Sequence, residues 1–359
     1  MLKNKFLKIA LLLPLVALAL SGCSLSLNSD SGSSGISDGG IFKSTNKGGS
    51  WAQKVLILTV GAKKSFSGID IISLAMDPSD NKAVYAGSLE NGLFYSYDGG
   101  ESWQIASNLG KLTVNNIAVD PADKCVIYAT ASNKVFKSED CCRTWSQVYF
   151  DNDIKAAISS LAIDQKAGNN IFIGTSNGDV IKSSDKGASW RALDRFDSQI
   201  EKIIISPANS KIMFAGTAAK GVFRSVDGGA QWESLKDKLE YFDGSARFRD
   251  LVVVKPESER ETILLATNYG LLKSTDNGNA WSKIELLTAE EEAKIYSIAV
   301  NADNANEIYY ATGTAFYRSL DGGKNWTSKK LPANRSGFRL LIDSQDPAIV
   351  YLAVKQITK

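Results

Sequence analysis

From Gly40 onward the chain reads as short apolar runs separated by turns rich in Asp, Asn, Ser and Gly. Ile72-Ser73-Leu74-Ala75-Met76-Asp77-Pro78 is followed, after a polar turn, by Val84-Tyr85-Ala86-Gly87. The same phrase returns as Ile117-Ala118-Val119-Asp120-Pro121 with Val126-Ile127-Tyr128-Ala129, and as Leu161-Ala162-Ile163-Asp164 with Ile171-Phe172-Ile173-Gly174. Runs this short, rich in β-branched and aromatic residues and bounded by turn formers, predict strands. A third run, seen clearly in Gly92-Leu93-Phe94-Tyr95, enters a tight turn that Trp103 leaves, which predicts a hairpin after each strand pair.

The tryptophans expose the period. There are seven, at positions 51, 103, 145, 190, 232, 281 and 326, and each closes the same eight-residue phrase. Five copies carry Ser, Asp, Gly and Trp in register: Ser96, Asp98 and Trp103; Ser183, Asp185 and Trp190; Ser225, Asp227 and Trp232; Ser274, Asp276 and Trp281; Ser319, Asp321 and Trp326. Ser44, Asn46 and Trp51 form a copy with Asn in place of Asp, and Ser138, Asp140 and Trp145 a copy with Cys142 in place of Gly. An Asp or Asn in a tight turn accepts bonds from nearby backbone N–H groups. The Gly two residues later tolerates positive φ. Trp then covers the hairpin with apolar surface.

Each unit of roughly 45 residues therefore holds four short strands, the period of a propeller blade. The chain begins with the last two strands of a blade (40–53) and ends with the first two, around Phe338 to Asp343 and Ile349 to Val354. Joined, these fragments complete one blade and remove the exposed edges of an open sheet. The predicted fold is all-β: a seven-bladed β-propeller of four-stranded blades, closed by pairing N-terminal outer strands with C-terminal inner strands. The expected segments are a signal peptide at 1–22, a flexible tether at 23–39 and the propeller at 40–359.

The repeat resembles the Asp-box or BNR repeat of sialidases, sortilin-type propellers, xyloglucan-cleaving glycosidases and the photosystem II assembly factor. The resemblance covers nearly the whole chain after the signal segment. It implies the fold strongly and the function hardly at all, because in these families the repeated turns serve structure on the face away from substrate.

Composition narrows the chemistry. The net charge of +2 gives no field that would select nucleic acid, and the absence of histidine removes the commonest general base and metal ligand. At the N-terminus, Lys3, Lys5 and Lys8 precede an apolar run from Ile9 to Leu20, and then Leu20-Ser21-Gly22-Cys23. The run is of signal-peptide length. The four residues resemble the bacterial lipobox, which implies a diacylglyceryl group on Cys23 and cleavage before it. A soluble secretory signal with a chance cysteine is the competing reading. The following Ser- and Gly-rich segment reads as a tether. The chain is expected on the extracytoplasmic side of a cell membrane or outer membrane.

A sialidase would need three converging arginines. Arg195, Arg249 and Arg339 are the candidates, though Phe248-Arg249 and Phe338-Arg339 match only two letters of the family's arginine motif and stand in late blades. A glycosidase of the two-propeller kind would need paired carboxylates. Asp151, Asp153, Asp194, Asp197, Glu240 and Asp243 lie on the connectors between blades, where carboxylates are commonly just solvated. Phe150-Asp151, Phe196-Asp197 and Tyr241-Phe242-Asp243 form a candidate binding rim, with an inward-tucked aromatic and a capping acid as the alternative. Cys125, Cys141 and Cys142 suit a disulfide from Cys125 to one of the other two in an exported protein, better than a zinc site. The reading that results is a monomeric, non-catalytic binding or assembly propeller without metal or cofactor. It would be held at a membrane by its lipid and take a protein or glycan on one face. A glycoside hydrolase acting on extracellular glycans is the rival.

Overall fold

Seven first strands stand around one axis, each beside the first strand of the next blade: Ile71–Met76, Asn116–Asp120, Ile158–Ile163, Ile200–Ile205, Phe248–Val254, Ser297–Asn301 and Ser336–Ile342. The computed structural model describes residues 37–254 and 260–357. The signal segment, Cys23 and most of the tether lie outside the described residues. Blades 1 to 6 occupy 71–105, 116–150, 158–195, 200–234, 248–284 and 297–330, each a four-stranded antiparallel sheet in sequential order. Blade 7 takes Ser336–Ile342 and Val350–Lys355 from the end of the chain, and Ile41–Ser44 and Ala52–Gln53 from its beginning. Ile41 pairs with Ala353 and Ser44 with Val350, so the seven-bladed ring closes between the two ends. Asp38, expected in the tether, already belongs to the folded part: its carboxylate lies 3.3 Å from Arg335.

The apolar core is divided among the seven blade junctions. Each cluster draws on two neighbouring blades, as when Tyr85 and Leu93 of blade 1 meet Val119 and Ile127 of blade 2. At the closing junction Ile41 and Tyr351 meet Val84 and Phe94. Strands buried on both faces are apolar at nearly every position, which is why alternation is weak in the sequence.

The seven repeated turns share one geometry. In each, the Ser hydroxyl donates to the Asp or Asn Oδ1. The N–H four residues after the Ser donates back to the Ser Oγ at 2.8–2.9 Å. Two residues further on, an N–H donates to the same Oδ1 at 2.8–3.0 Å. Two consecutive residues, rather than the one expected, have positive φ. The second is the expected Gly, or Cys142 at 69°; the first is Lys47, Gly99, Cys141, Lys186, Gly228, Asn277 or Gly322. A Cβ at Gly48 would lie 2.2 Å from Phe316, and at Gly323 2.3 Å from Ile284, so this position also abuts the neighbouring blade. In blade 2 the side chain is accommodated: Cys142 is buried in the junction with blade 1, and burial pushes its thiol up to about 12.

Cys125 and Cys141 are joined by a disulfide, their α-carbons 4.0 Å apart, while Cys142 is free and buried. The bond ties the turn after the first strand to the repeated turn after the third, which share one face. The Cys141 N–H also donates to the Cys125 carbonyl at 3.1 Å.

The tryptophans are less uniform than their spacing suggests. Trp190, Trp232 and Trp281 donate Nε1–H to the turn's own Gly carbonyl. Trp103, Trp190 and Trp326 reach a carbonyl of the preceding blade or its connector. Trp103 alone is completely buried. It is covered by an unforeseen hairpin, Leu56–Ile57 with Lys64–Ser65, which pairs in parallel with it. Among the described residues no helix is long and apolar enough to cross a membrane.

Candidate functional site

First strands begin on the face opposite the repeated turns, and their first residues surround a cavity on the propeller axis. Its volume is about 610 Å³. The walls follow one position in each blade, the residue paired with the small residue of the second strand: Ser73, Asn116, Ser160, Lys202, Asp250, Ser297 and Arg339.

Six of these seven side chains bind the next blade or the connector leading into it. Ser73 donates to the Val114 carbonyl at 2.9 Å and Asn116 to the Ser159 carbonyl at 3.0 Å. Ser160 accepts from the Ile203 N–H at 2.7 Å. Lys202 meets Asp250 at 2.6 Å, and the other oxygen of Asp250 accepts from the Ile298 N–H at 2.9 Å. Ser297 accepts from the Leu340 N–H at 3.0 Å. These bonds form a polar belt around the axis, and they satisfy backbone groups that first-strand irregularities leave without a partner.

Arg339 breaks the series. Its Nη1 donates to the Phe338 carbonyl of its own strand at 3.0 Å, and its guanidinium lies over the Phe338 ring, 4.4 Å from the centroid. Lys355 lies over the same ring at 4.7 Å. Burial lowers the Arg339 pKa, with Asp250 and Glu201 opposing. An arginine keeps its charge even when desolvated, so the site holds a half-buried cation that, among the described residues, enters no ion pair and feels the carboxylates of Asp250 and Glu201 only at longer range.

The residue before the belt position is bulged in five blades, and a bulge re-aims its side chain. This brings Glu201, Arg249 and Phe338 to the cavity. Burial raises the Glu201 pKa, while Arg339 and Arg249 pull it back down. Arg249 Nε donates to Asn268 Oδ1 at 2.8 Å. Tyr296 completes this side of the wall, its ring 6.4 Å from Phe338. Blades 5, 6 and 7 give the mouth Arg249, Tyr296, Phe338 and Arg339, with the carboxylates of Glu201 and Asp250 within electrostatic reach. Elsewhere it is lined by Asn115, Asn116 and Ser160.

Of the three candidate arginines, the structure brings Arg249 and Arg339 together and leaves Arg195 out. Arg195 ends the fourth strand of blade 3, at the circumference, where it pairs with Asp179 and Asp197 at 3.6 and 4.0 Å. A fourth strand cannot reach the axis, so the three do not form a triad.

The rim residues do not line the cavity either. Phe196 is buried, stacked on Phe223 at 4.3 Å and edge-on to Trp232. Phe242 packs edge-on against Tyr269. Asp151 caps the Asp153 N–H at 2.9 Å and accepts from the Tyr149 hydroxyl at 3.2 Å. These belong to the tucked-aromatic geometry. Phe150 and Tyr241 are exposed, as are Asp197 and Asp243. Among the described residues no three Cys, Asp or Glu side chains gather as a metal ion would require.

Lys202, Asp250 and Glu201 were not singled out by the sequence reading. Their signal is present in it: they occupy, or directly precede, the position that holds Ser or Asn in four other blades.

One family model matches part of the ring, from blade 4 into blade 7. Residues 203–354 fit the model of the family described as photosynthesis system II assembly factor YCF48. No curated protein matches the chain. Among solved structures the chain is similar to YCF48 bound to D1 peptide, with TM-score 0.60 and 16% identity over 81% of this chain and 94% of that one. YCF48 from Cyanidioschyzon merolae gives TM-score 0.60 and 15% identity over 80% and 95%. The GH74 xyloglucanase from Xanthomonas campestris gives TM-score 0.62 and 16% identity over 80% of this chain, which spans about half (51%) of that enzyme.

Proposed function

We propose that the protein is a non-catalytic binding or assembly propeller, held by a lipid on Cys23 at the outer side of a bacterial membrane, whose axial cavity takes an acidic segment of a protein partner. The observation that carries this reading is Arg339, a half-buried guanidinium that among the described residues enters no ion pair, over the Phe338 ring with Lys355 and in one cavity with Arg249. A carboxylate entering there would gain a charge-assisted, planar partner in a poorly hydrated place. The match to the assembly-factor family supports it, since 203–354 contains both arginines. So does the peptide on a neighbour of the same fold.

The test uses a short Glu-rich peptide and its Gln counterpart against the full chain. Binding of the first alone, weakened by salt and lost in Arg339→Gln, is the expected result. Equal binding of both peptides would sink the reading. The anchor is tested separately, by mass spectrometry of the N-terminus: an unlipidated chain starting elsewhere than Cys23 removes it.

A second reading, a glycoside hydrolase, has one observation in its favour: Glu201 lines the cavity, and partial desolvation raises its pKa against the pull of Arg339 and Arg249, the direction a general acid needs. Turnover of xyloglucan or a sialoside that disappears in Glu201→Gln would establish it.

A further inference from the structure

The connector from blade 7 into blade 1 carries the extra hairpin, and its two ends face different surroundings. Ile57 and Phe66 are buried, with Phe66 stacked on Phe94 and edge-on to Trp103. From Leu58 to Ser65 every residue is exposed; Leu58 shows 57% of its surface and Val60 all of it. Lys63 and Lys64 stand three and four residues after Val60, and among the described residues neither enters an ion pair. Two bare aliphatic side chains beside two unpaired ammonium groups match a surface that is anionic outside and apolar beneath.

The root of this hairpin is also where the preceding chain joins the ring. Gly39 N–H donates to the Ser67 carbonyl at 2.6 Å, Gly40 N–H to Ile69 at 2.8 Å, and the Gln53 side-chain amide to Ser37 at 3.0 Å. Ser37, the first described residue, therefore lies beside residues 65–69. Cys23 stands 14 residues earlier in the sequence. A segment of that length reaches about 50 Å at full stretch. A lipid on Cys23 would hold the hairpin within reach of the bilayer.

We propose that the tip of this hairpin, residues 58–64, docks on the surface of an anionic bilayer, with Leu58 and Val60 in the interfacial layer and Lys63 and Lys64 at the headgroups. The contact is too small to hold the chain at a membrane unaided. It acts on a chain already tethered, and so rests on the anchor reading. Its effect is orientation, fixing which part of the ring's circumference meets the lipid.

The experiment reconstitutes the full chain into phosphatidylethanolamine–phosphatidylglycerol vesicles whose acyl chains carry bromine, a contact quencher of indole fluorescence. A Val60→Trp variant is expected to be quenched well beyond the wild type. Val226→Trp, on the exposed repeated turn of blade 4, is expected to match the wild type. Adding Lys63→Glu and Lys64→Glu to Val60→Trp should lower the docked fraction by about fivefold per lysine neutralised, before repulsion is counted. Equal quenching at positions 60 and 226, or quenching at neither, overturns the proposal. So does a concentration-dependent dimer that Val60→Asp abolishes, since the tip would then face a second copy. Resistance of the wild type to carbonate extraction reports on the anchor alone, so failure of one reading is told from failure of the other.

Discussion

The two faces of the ring obey opposite rules. On one, seven turns repeat a single hydrogen-bond pattern, and even Asn46 and Cys142 reproduce it. On the other, one position per blade carries Ser, Asn, Ser, Lys, Asp, Ser and Arg in turn. Repetition marks what every blade needs, a rigid link between its third and fourth strands. Variation marks where the ring stops being symmetric, and a ligand needs that asymmetry. A belt of seven serines would bind nothing in particular; Lys202, Asp250 and Arg339 give the axis a charged side and a neutral side.

Changes that strike the repeat should damage folding, and changes at the axis should damage binding. The largest expected effect is ring opening. Ending the chain after Asn334 removes both inner strands of blade 7 and leaves 41–53 as an unpaired hairpin. Cooperative thermal unfolding should vanish and aggregation follow; a truncated chain that melts like the whole would contradict ring closure. Next comes Trp103→Ala, which empties the fully buried site beneath the extra hairpin and should cost about 3–5 kcal/mol in denaturant titrations. The same change at Trp326, which is only half-buried, should cost visibly less; equal losses would mean the hairpin adds nothing.

A smaller effect is expected with pH. Hydrogen bonds from Thr144, Ser189 and Asn325, side chain and backbone together, hold Asp140, Asp185 and Asp321 down to about 2. A depressed carboxylate stabilises the fold fully above its ordinary range and loses that contribution as pH falls toward 2. Asn46 does not titrate. In native hydrogen exchange the amides of Thr144, Ser189 and Asn325 should therefore lose protection on acidification before Ser50, whose N–H binds Asn46. Simultaneous loss at all four would show that the turns do not act individually. The smallest effect on stability should come from Arg339→Gln, within about 0.5 kcal/mol, because among the described residues its hydrogen bond and its ring contact are both to the neighbouring Phe338 of its own strand. A large destabilisation would make Arg339 a structural member of the belt and remove the proposed carboxylate partner.

The fold was readable because its signal is local. Ser, Asp, Gly and Trp at fixed offsets specify a turn with no knowledge of the remaining chain, and seven copies specify a ring. The second positive-φ position escaped because Lys47, Lys186 and Asn277 adopt it without changing residue class in any consistent way. The cavity escaped for a different reason. Its residues come from first strands far apart in sequence, and nothing in Arg249 or Arg195 taken singly tells an axial arginine from one at the circumference. Strand number within the blade decides it, and register against the repeated phrase recovers that number for Lys202, Asp250 and Arg339. The hairpin at 56–65 had no counterpart in the other blades to compare with.

The pairing of residues 41–44 with 350–353 also sets an order in time. Each of the first six blades is a run of consecutive strands, able to form as soon as its own stretch of chain is available. Blade 7 is different. Its N-terminal hairpin waits while six blades are made, and its bonds reach across most of the chain, as from Asn334 to Asp38, 296 residues apart. Contacts of such long range form late and slowly. During that interval the exposed edge of Ile41–Ser44 is the strand most open to a wrong partner, such as the same edge on another molecule. Closure is the step at which a growing stack of blades becomes a finished ring, and it depends on the strand Val350–Lys355, which lies furthest along the chain from its partner at 41–44.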